Sequence, residues 1–261
     1  MNLEKLKLQL QNCYDKISQP HPFTSGINHD NVGDLLVDYF AMSLMFPHVQ
    51  AASHEKIVEA YLMSGDDIPY AVEATSVVAA FLTWDELGGY YTLKMQGPAA
   101  LPRILETKSF HANLLKTDIK KMMGKELNYH YTSTTRTYMQ NLKRALSSPN
   151  HIERVAYMVA FEMNAATMIQ GLYDSLKRLF GPNAQSLTYF EAHVGGNDPA
   201  EIYHIDMTSR LIERLVADHD MVSFLNHFEK ACELNSHWCE QIKIKNYALA
   251  KESSYAEAYR I

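Results

Sequence analysis

Apolar residues in this chain recur at intervals of three and four rather than in strict alternation. In "VGDLLVDYFAMSLMFPHVQAASHEKIVEAYLM" (32–63), Leu35, Leu36, Tyr39, Phe40, Ser43 and Leu44 keep that spacing and predict a long helix. Pro47 is expected to kink it or to begin a new one. "DIPYAVEATSVVAAFLTWDE" (67–86) predicts a second helix ending near Gly88-Gly89, where glycine suits a helix C-terminus. "LPRILETKSFHANLLKTDIKKMM" predicts a third from Pro102, and "HIERVAYMVAFEMNAATMIQGLYDSLKRLF" a fourth that stops at Gly181-Pro182. Residues 189–217 predict a fifth, interrupted helix, and Met221–Ala250 a sixth. No stretch joins period-two alternation to turn dipeptides, so no strand is expected. Connections are short, with no low-complexity linker and no internal repeat. The pattern predicts a single all-α domain over 1–261, a bundle with its core at about 30–220 and the N- and C-terminal helical segments packed on it.

The interruption in the fifth helix raises a physical question. "YFEAHVGGNDPAEIYHIDM" (189–207) carries His193 and His204 with "GGNDP" between them. On a straight helix eleven residues would part them by about 16 Å, whereas the ions of a two-metal site lie only about 3.5–4 Å apart. The chain is therefore expected to end one helix just after His193, to turn over roughly 194–198 through Gly195 and Gly196, and to start another that presents Glu201 and His204. Asp198 as N-cap, Pro199 at the first helical position and Glu201 at the third would make a capping arrangement.

Composition narrows the class. Hydrophobic residues at 47% and charged residues at 21% are ordinary for a globular domain, and a net charge of −6 with no Lys/Arg block argues against a nucleic-acid partner. Cys13, Cys232 and Cys239 contain no CxxC pair and read as reduced thiols. The N-terminus is charged and amphipathic, unlike a signal peptide, and the apolar run near Ala74–Trp84 is shorter than the roughly 20 residues that span a bilayer. A cytoplasmic protein without a membrane partner is expected, and a homodimer is compatible with the sequence.

Charge appears where the pattern asks for apolar residues at Glu162, inside "VAYMVAFEMNAATMI", at Asp85-Glu86, which close "SVVAAFLTW", and at His193, Glu201 and His204. Singly, each has a plain explanation as a salt-bridged, helix-terminal or capping residue. Together, carboxylates from two helices with histidine and carboxylate from a third match the way helical bundles build di-iron carboxylate sites, and such oxygen and imidazole donors suit iron or manganese.

"DYFAMSLMFPHVQAASH" (38–54), "WDELGGYY" (84–91), "AFEMNAA" (160–166) and "YFEAHVGGNDPAEIYH" (189–204) occur in an order that resembles the heme-oxygenase-like di-iron oxidases. That family includes the chlamydial protein associating with death domains and a cyanobacterial branch of undefined function. The resemblance spans roughly residues 30–220 and rests on order and spacing. It implies a heme-oxygenase-like helical bundle with metal ligands Glu86, Glu162 as bridge, His193, Glu201 and His204. The family's first helix also carries a histidine seven residues after its glutamate. Here that position is Leu93, and His193 stands eight residues from Glu201 instead of four. His111, in "ETKSFHANLL", is the candidate replacement, and a histidine lying on a helix face beside Phe110 is its plain alternative.

By this resemblance the chain is a non-heme di-iron oxidoreductase. It would use two Fe ions, the second loosely held, with O2 as co-substrate and an external electron donor. Its substrate would be a small amino-acid-like molecule whose side chain is cleaved or rearranged in specialised metabolism. Alternatives on the same fold are a metal-free thiaminase-like or cofactor-biosynthesis enzyme and a non-catalytic binding module. Heme is not expected, since only His21 and His29 stand loosely where a heme ligand would.

Overall fold

The computed structural model describes residues 3–244. They form α1 (Leu3–Ser18), α2 (Val32–Ala52), α3 (Glu55–Ser64), α4 (Tyr70–Glu86), α5 (Gly89–Gln96) and α6 (His111–Met123), then α7 (Ser133–Leu146), α8 (His151–Phe180), α9 (Thr188–Val194), α10 (Glu201–Leu215) and α11 (Met221–Ile244). Short 3₁₀ segments, the longest Pro98–Glu106, join some of them, and the described residues contain no strand. The all-α expectation holds.

At its centre lies α8, 30 residues long and so about 45 Å at a rise of 1.5 Å per residue. Asn150 caps it by accepting the Ile152 amide through its side chain, and Gly181 ends it just before Pro182. Buried residues occupy every side of its middle turns, among them Val155, Ala156, Met158, Val159 and Leu172, as befits a helix enclosed by neighbours. Along it run α7, α10 and α11, with α1 on α11. On the other side α2 packs against α4, α6 and α7, and α9 wedges between α6 and α8. The ends of α4 and α9, the starts of α6 and α10 and the middle of α8 therefore converge.

Several boundaries differ from expectation. Pro47 sits inside α2 without ending it. It forfeits one ladder bond, but Phe46, Pro47 and Val49 are buried and Phe46 stacks on Phe161 of α8, so packing carries the helix past the break. The interruption comes at Ser53-His54 instead. The helix expected from Pro102 is two elements: the 3₁₀ segment ends at Glu106, Thr107 takes a left-handed φ of 55°, and α6 starts at His111. An element beyond those expected is α7, whose Thr135, Tyr138, Met139, Leu142 and Leu146 share the helical spacing and are buried. The sixth helix ends its described part at Ile244, and its expected continuation to Ala250 lies outside the described residues. No helix among the described residues is long and apolar enough to cross a membrane.

Candidate metal centre

Backbone punctuation sets each side chain of the site. The last turn of α4 carries Asp85 and Glu86, after which Gly88 turns the chain with φ 75°. A Cβ on Gly88 would lie 2.6 Å from the Ser109 carbonyl oxygen, so this glycine also lets the segment before α6 approach closely. His111 is the first residue of α6, and Glu162 comes from the middle of α8. Near the end of α9 stands His193; Glu201 and His204 occupy the first turn of α10.

The break between α9 and α10 falls where it was expected, with a different division of labour. Gly196 alone adopts the left-handed conformation, φ 74°. Gly195 has φ −89° and is needed for space, since a Cβ there would come within 2.5 Å of Glu191 Oε2 and 2.6 Å of the Glu191 carbonyl oxygen. The amides of Asn197 and Asp198 return to the Glu191 and Ala192 carbonyls at 3.2 Å, so the turn is internally bonded. Asp198 does not cap the helix. Its Oδ1 accepts the Ala200 amide at 2.8 Å, and α10 starts at Glu201 after Ala200.

All six candidate residues converge. His111 is buried, with Nδ1 3.3 Å from Glu86 Oε2 and Nε2 3.2 Å from Asp198 Oδ2. The His193 ring meets it edge-on at 4.7 Å. Nδ1 of His204 lies 3.3 Å from Glu162 Oε2, and its Nε2 lies 2.9 Å from Asp85 Oδ2. Glu201 spans the two halves, Oε1 3.9 Å from His193 Nε2 and Oε2 3.8 Å from His204 Nδ1. Ligand-capable atoms of Glu86, His111 and His193 lie within 4.8 Å of one another, as do those of Asp85, His111 and Asp198. Sequence reasoning treated Asp198 only as a cap and Asp85 only as half of a charged helix end, although a carboxylate closing an apolar run was a usable signal.

Electrostatics separate the histidines. Burial and the neighbouring His111 lower the His193 imidazole to about 4. The Tyr189 carbonyl, 2.7 Å from Nδ1, takes that nitrogen's proton in a hydrogen bond, which leaves Nε2 with a free lone pair. Burial opposes charge on His204, but Asp85 and Glu162 on its two nitrogens raise it to about 12. For His111 burial is likewise overridden, by Glu86 and Asp198, which hold it well above the ordinary range. Burial lifts Glu201 to about 8.

This donor set fits metal ions. Asp85, Glu86, Glu162, Asp198 and Glu201 gather carboxylates where desolvation costs several kcal/mol per ion unless a cation answers it. Asp85 Oδ1, His111 Nδ1 and Glu201 Oε1 are buried without a hydrogen-bond partner among the described residues, and all three belong to this cluster. No thiol takes part. Cys13, Cys232 and Cys239 line neither cavity described below, and burial pushes the first two up to about 11 and about 12. His21 caps the 3₁₀ turn Pro22–Thr24, its Nδ1 accepting the Phe23 amide, while the His29 ring packs on Phe180.

Two cavities adjoin the cluster. The inner one, about 60 Å³, is bounded by Glu86, Glu162, His193, Glu201 and His204 and walled by apolar side chains such as Met42, Phe46, Phe161 and Ile169. The outer one, about 580 Å³, meets the cluster at His111 and Asp198.

The architecture is a heme-oxygenase-like helical fold with a buried carboxylate–histidine cluster that could hold a metal ion. It is similar to the crystal structure of a domain of unknown function with a heme oxygenase-like fold from Shewanella denitrificans OS217, with TM-score 0.55 and 15% identity over 93% of this chain and 92% of that one. No protein-family model and no curated protein matches the chain.

Proposed function

We propose that this protein is a non-heme di-iron, O2-activating oxidase or oxygenase acting on a small amino-acid-like substrate. The observation that carries the reading is the buried cluster itself, three imidazoles and five carboxylates on α4, α6, α8, α9, α10 and the loop before α10, with polar atoms of Asp85, His111 and Glu201 that find no hydrogen-bond partner among the described residues. Glu86, His111 and His193 would hold one ion, and Glu162 and His204 the other. Glu201, with one oxygen toward each half, suits the bridging role at least as well as Glu162. Iron bound there would supply the reduction of O2, with electrons from an external donor.

The chain's own residues would set the conditions. The Tyr189 carbonyl fixes the His193 ring, and Asp118 fixes Tyr189 in turn, its Oδ1 and Oδ2 accepting the Thr188 and Tyr189 amides at 2.9 and 2.7 Å. The apolar side chains of Met42, Phe46, Phe161 and Ile169 would limit water in the inner cavity. Ser43 and Tyr189 add hydroxyls to its wall. Burial keeps the Tyr189 phenol protonated, and it lies 3.1 Å from the Tyr39 hydroxyl, so it can donate to a polar group brought to the cluster.

Anaerobic Fe(II) titration followed by O2-uptake measurements on a panel of amino acids and the amines of the same skeletons tests the reading. The expected result is two irons per chain and substrate-dependent O2 consumption. A second reading, metal-free acid–base chemistry, is favoured by the direct pairing of His204 with Asp85 at 2.9 Å and of His111 with Asp198 at 3.2 Å. A chain that retains no iron at micromolar Fe(II) would replace the first reading with the second.

A further inference from the structure

The inner cavity, about 60 Å³, has room for ions and a few atoms of ligand, whereas small-molecule sites commonly enclose about 300–1,000 Å³. The outer cavity, about 580 Å³, has the right size, and a single imidazole, that of His111, stands between it and Glu86. His111 is 2% exposed, with no hydrogen bond to Nδ1. Tyr91, Met95 and Leu114 supply apolar wall, while Ser109, Ser186 and Thr188 supply hydroxyls. The charged side chains facing this space besides His111 are two carboxylates, Glu191 and Asp198, and no Lys or Arg among the described residues lines it.

Asp198 is engaged on both oxygens, by the Ala200 amide and by His111. Glu191 is not used up in that way. Its Oε1 accepts the Tyr173 hydroxyl at 2.8 Å, and Gly195 keeps side-chain bulk away from Oε2. With Asp198 answered by His111, the unanswered charge on this wall is the Glu191 carboxylate, which with the hydroxyl acceptors and the apolar side favours cations over anions.

We propose that the outer cavity binds an organic ammonium ion, the primary amine of a small molecule with an apolar or aromatic body, with Glu191 as its counter-ion. Binding itself is independent of iron; that the bound amine is the substrate rests on the function proposed above. The amine would be held on Glu191 and Asn197, the body would lie against Tyr91, Met95 and Leu114, and the far end would reach the His111 wall. A free carboxylate on the ligand would face Asp198 and Glu191, so an amine should bind better than the amino acid of the same skeleton.

Calorimetric titration of the chelator-treated protein with phenethylamine, L-phenylalanine and 3-phenylpropionate tests this. The expected order is amine, then amino acid, with no binding of the acid. Glu191→Gln, which preserves shape and the acceptor for Tyr173, should weaken amine binding roughly 10- to 100-fold, the worth of a charge-assisted hydrogen bond. Ala192→Leu, which fills the cavity, should weaken it comparably, with unchanged melting temperature showing that the variant folds. Equal affinity for the three probes, a preference for the acid, no binding, or amine binding indifferent to both variants would each overturn the proposal. Loss of iron binding with amine binding retained would instead sink the di-iron reading alone.

Discussion

At the scale of single residues, the cluster makes Glu162 the sharpest test. Its carboxylate is 7% exposed on the central helix and faces His204. Glu162→Ala should cut iron content from two per chain to about one while far-UV circular dichroism stays unchanged. Two irons retained would remove Glu162 from the site, and unfolding without any change in iron per folded molecule would make it structural. Glu86, Glu162, His193, Glu201 and His204 were legible because each puts charge beside an apolar run or a backbone break. Their partners were less so. His204 meets Asp85 across 119 residues and Thr188 meets Asp118 across 70, and a buried carboxylate in a helix reads from sequence like a solvated one.

Elements add the constraint of direction. Asp118 ties α6 to the first turn of α9, whose two amides have no other partner within the helix. Asp118→Ala should cost about 1–3 kcal/mol in urea denaturation, the cost of leaving buried donors unmet, and should weaken Fe(II) binding because His193 rides on that helix. Gly196→Ala forces a side chain into a left-handed turn at φ 74°. It should destabilise by about 1–2 kcal/mol, and the iron affinity should fall as Glu201 and His204 lose register with His193. The break itself was visible in "GGNDP", but the start of α10 was not, because Asp198 turned out to serve the turn and His111 rather than the helix. At the junction of α2 with α3, His54 reaches across to α4, its ring nitrogens 2.7 and 2.8 Å from the hydroxyls of Ser53 and Thr75. Burial, with Arg154 nearby, lowers it from 6.5 to about 4. The unfolded chain therefore binds the extra proton first as pH falls through that window. Stability should be intact above pH 6.5 and lower by about 3 kcal/mol near pH 4, and His54→Gln should flatten that slope in urea midpoints taken at several pH values.

For the whole molecule, the excess of buried carboxylates couples ion binding to the stability of the bundle, because an ion held there would tie α4, α8 and α10 together. Fe(II) at 100 times its Kd should stabilise the fold by about 2.7 kcal/mol, a rise of roughly 5–10 °C in melting temperature for a chain of this size. Mg2+ at the same concentration should do far less, since imidazole donors suit it poorly, and an equal rise with Mg2+ would mark the cluster as a general cation sink. The helical class was legible from periodicity alone, since three- and four-residue spacing survives burial. Pro47 misled because packing on Phe161 outweighs a lost backbone bond, a balance that no local rule contains. At Gly88 the chain leaves the axis of α4, so Leu93, seven positions after Glu86, rides on α5 and takes no part in the cluster, while an imidazole from α6 stands against Glu86 instead. A donor that arrives from a neighbouring segment leaves no mark at a fixed interval along the chain. Any descriptor written as a spacing on one unbroken helix will pass over such a protein, whereas the separations between donor atoms in space survive the exchange of one helix for another.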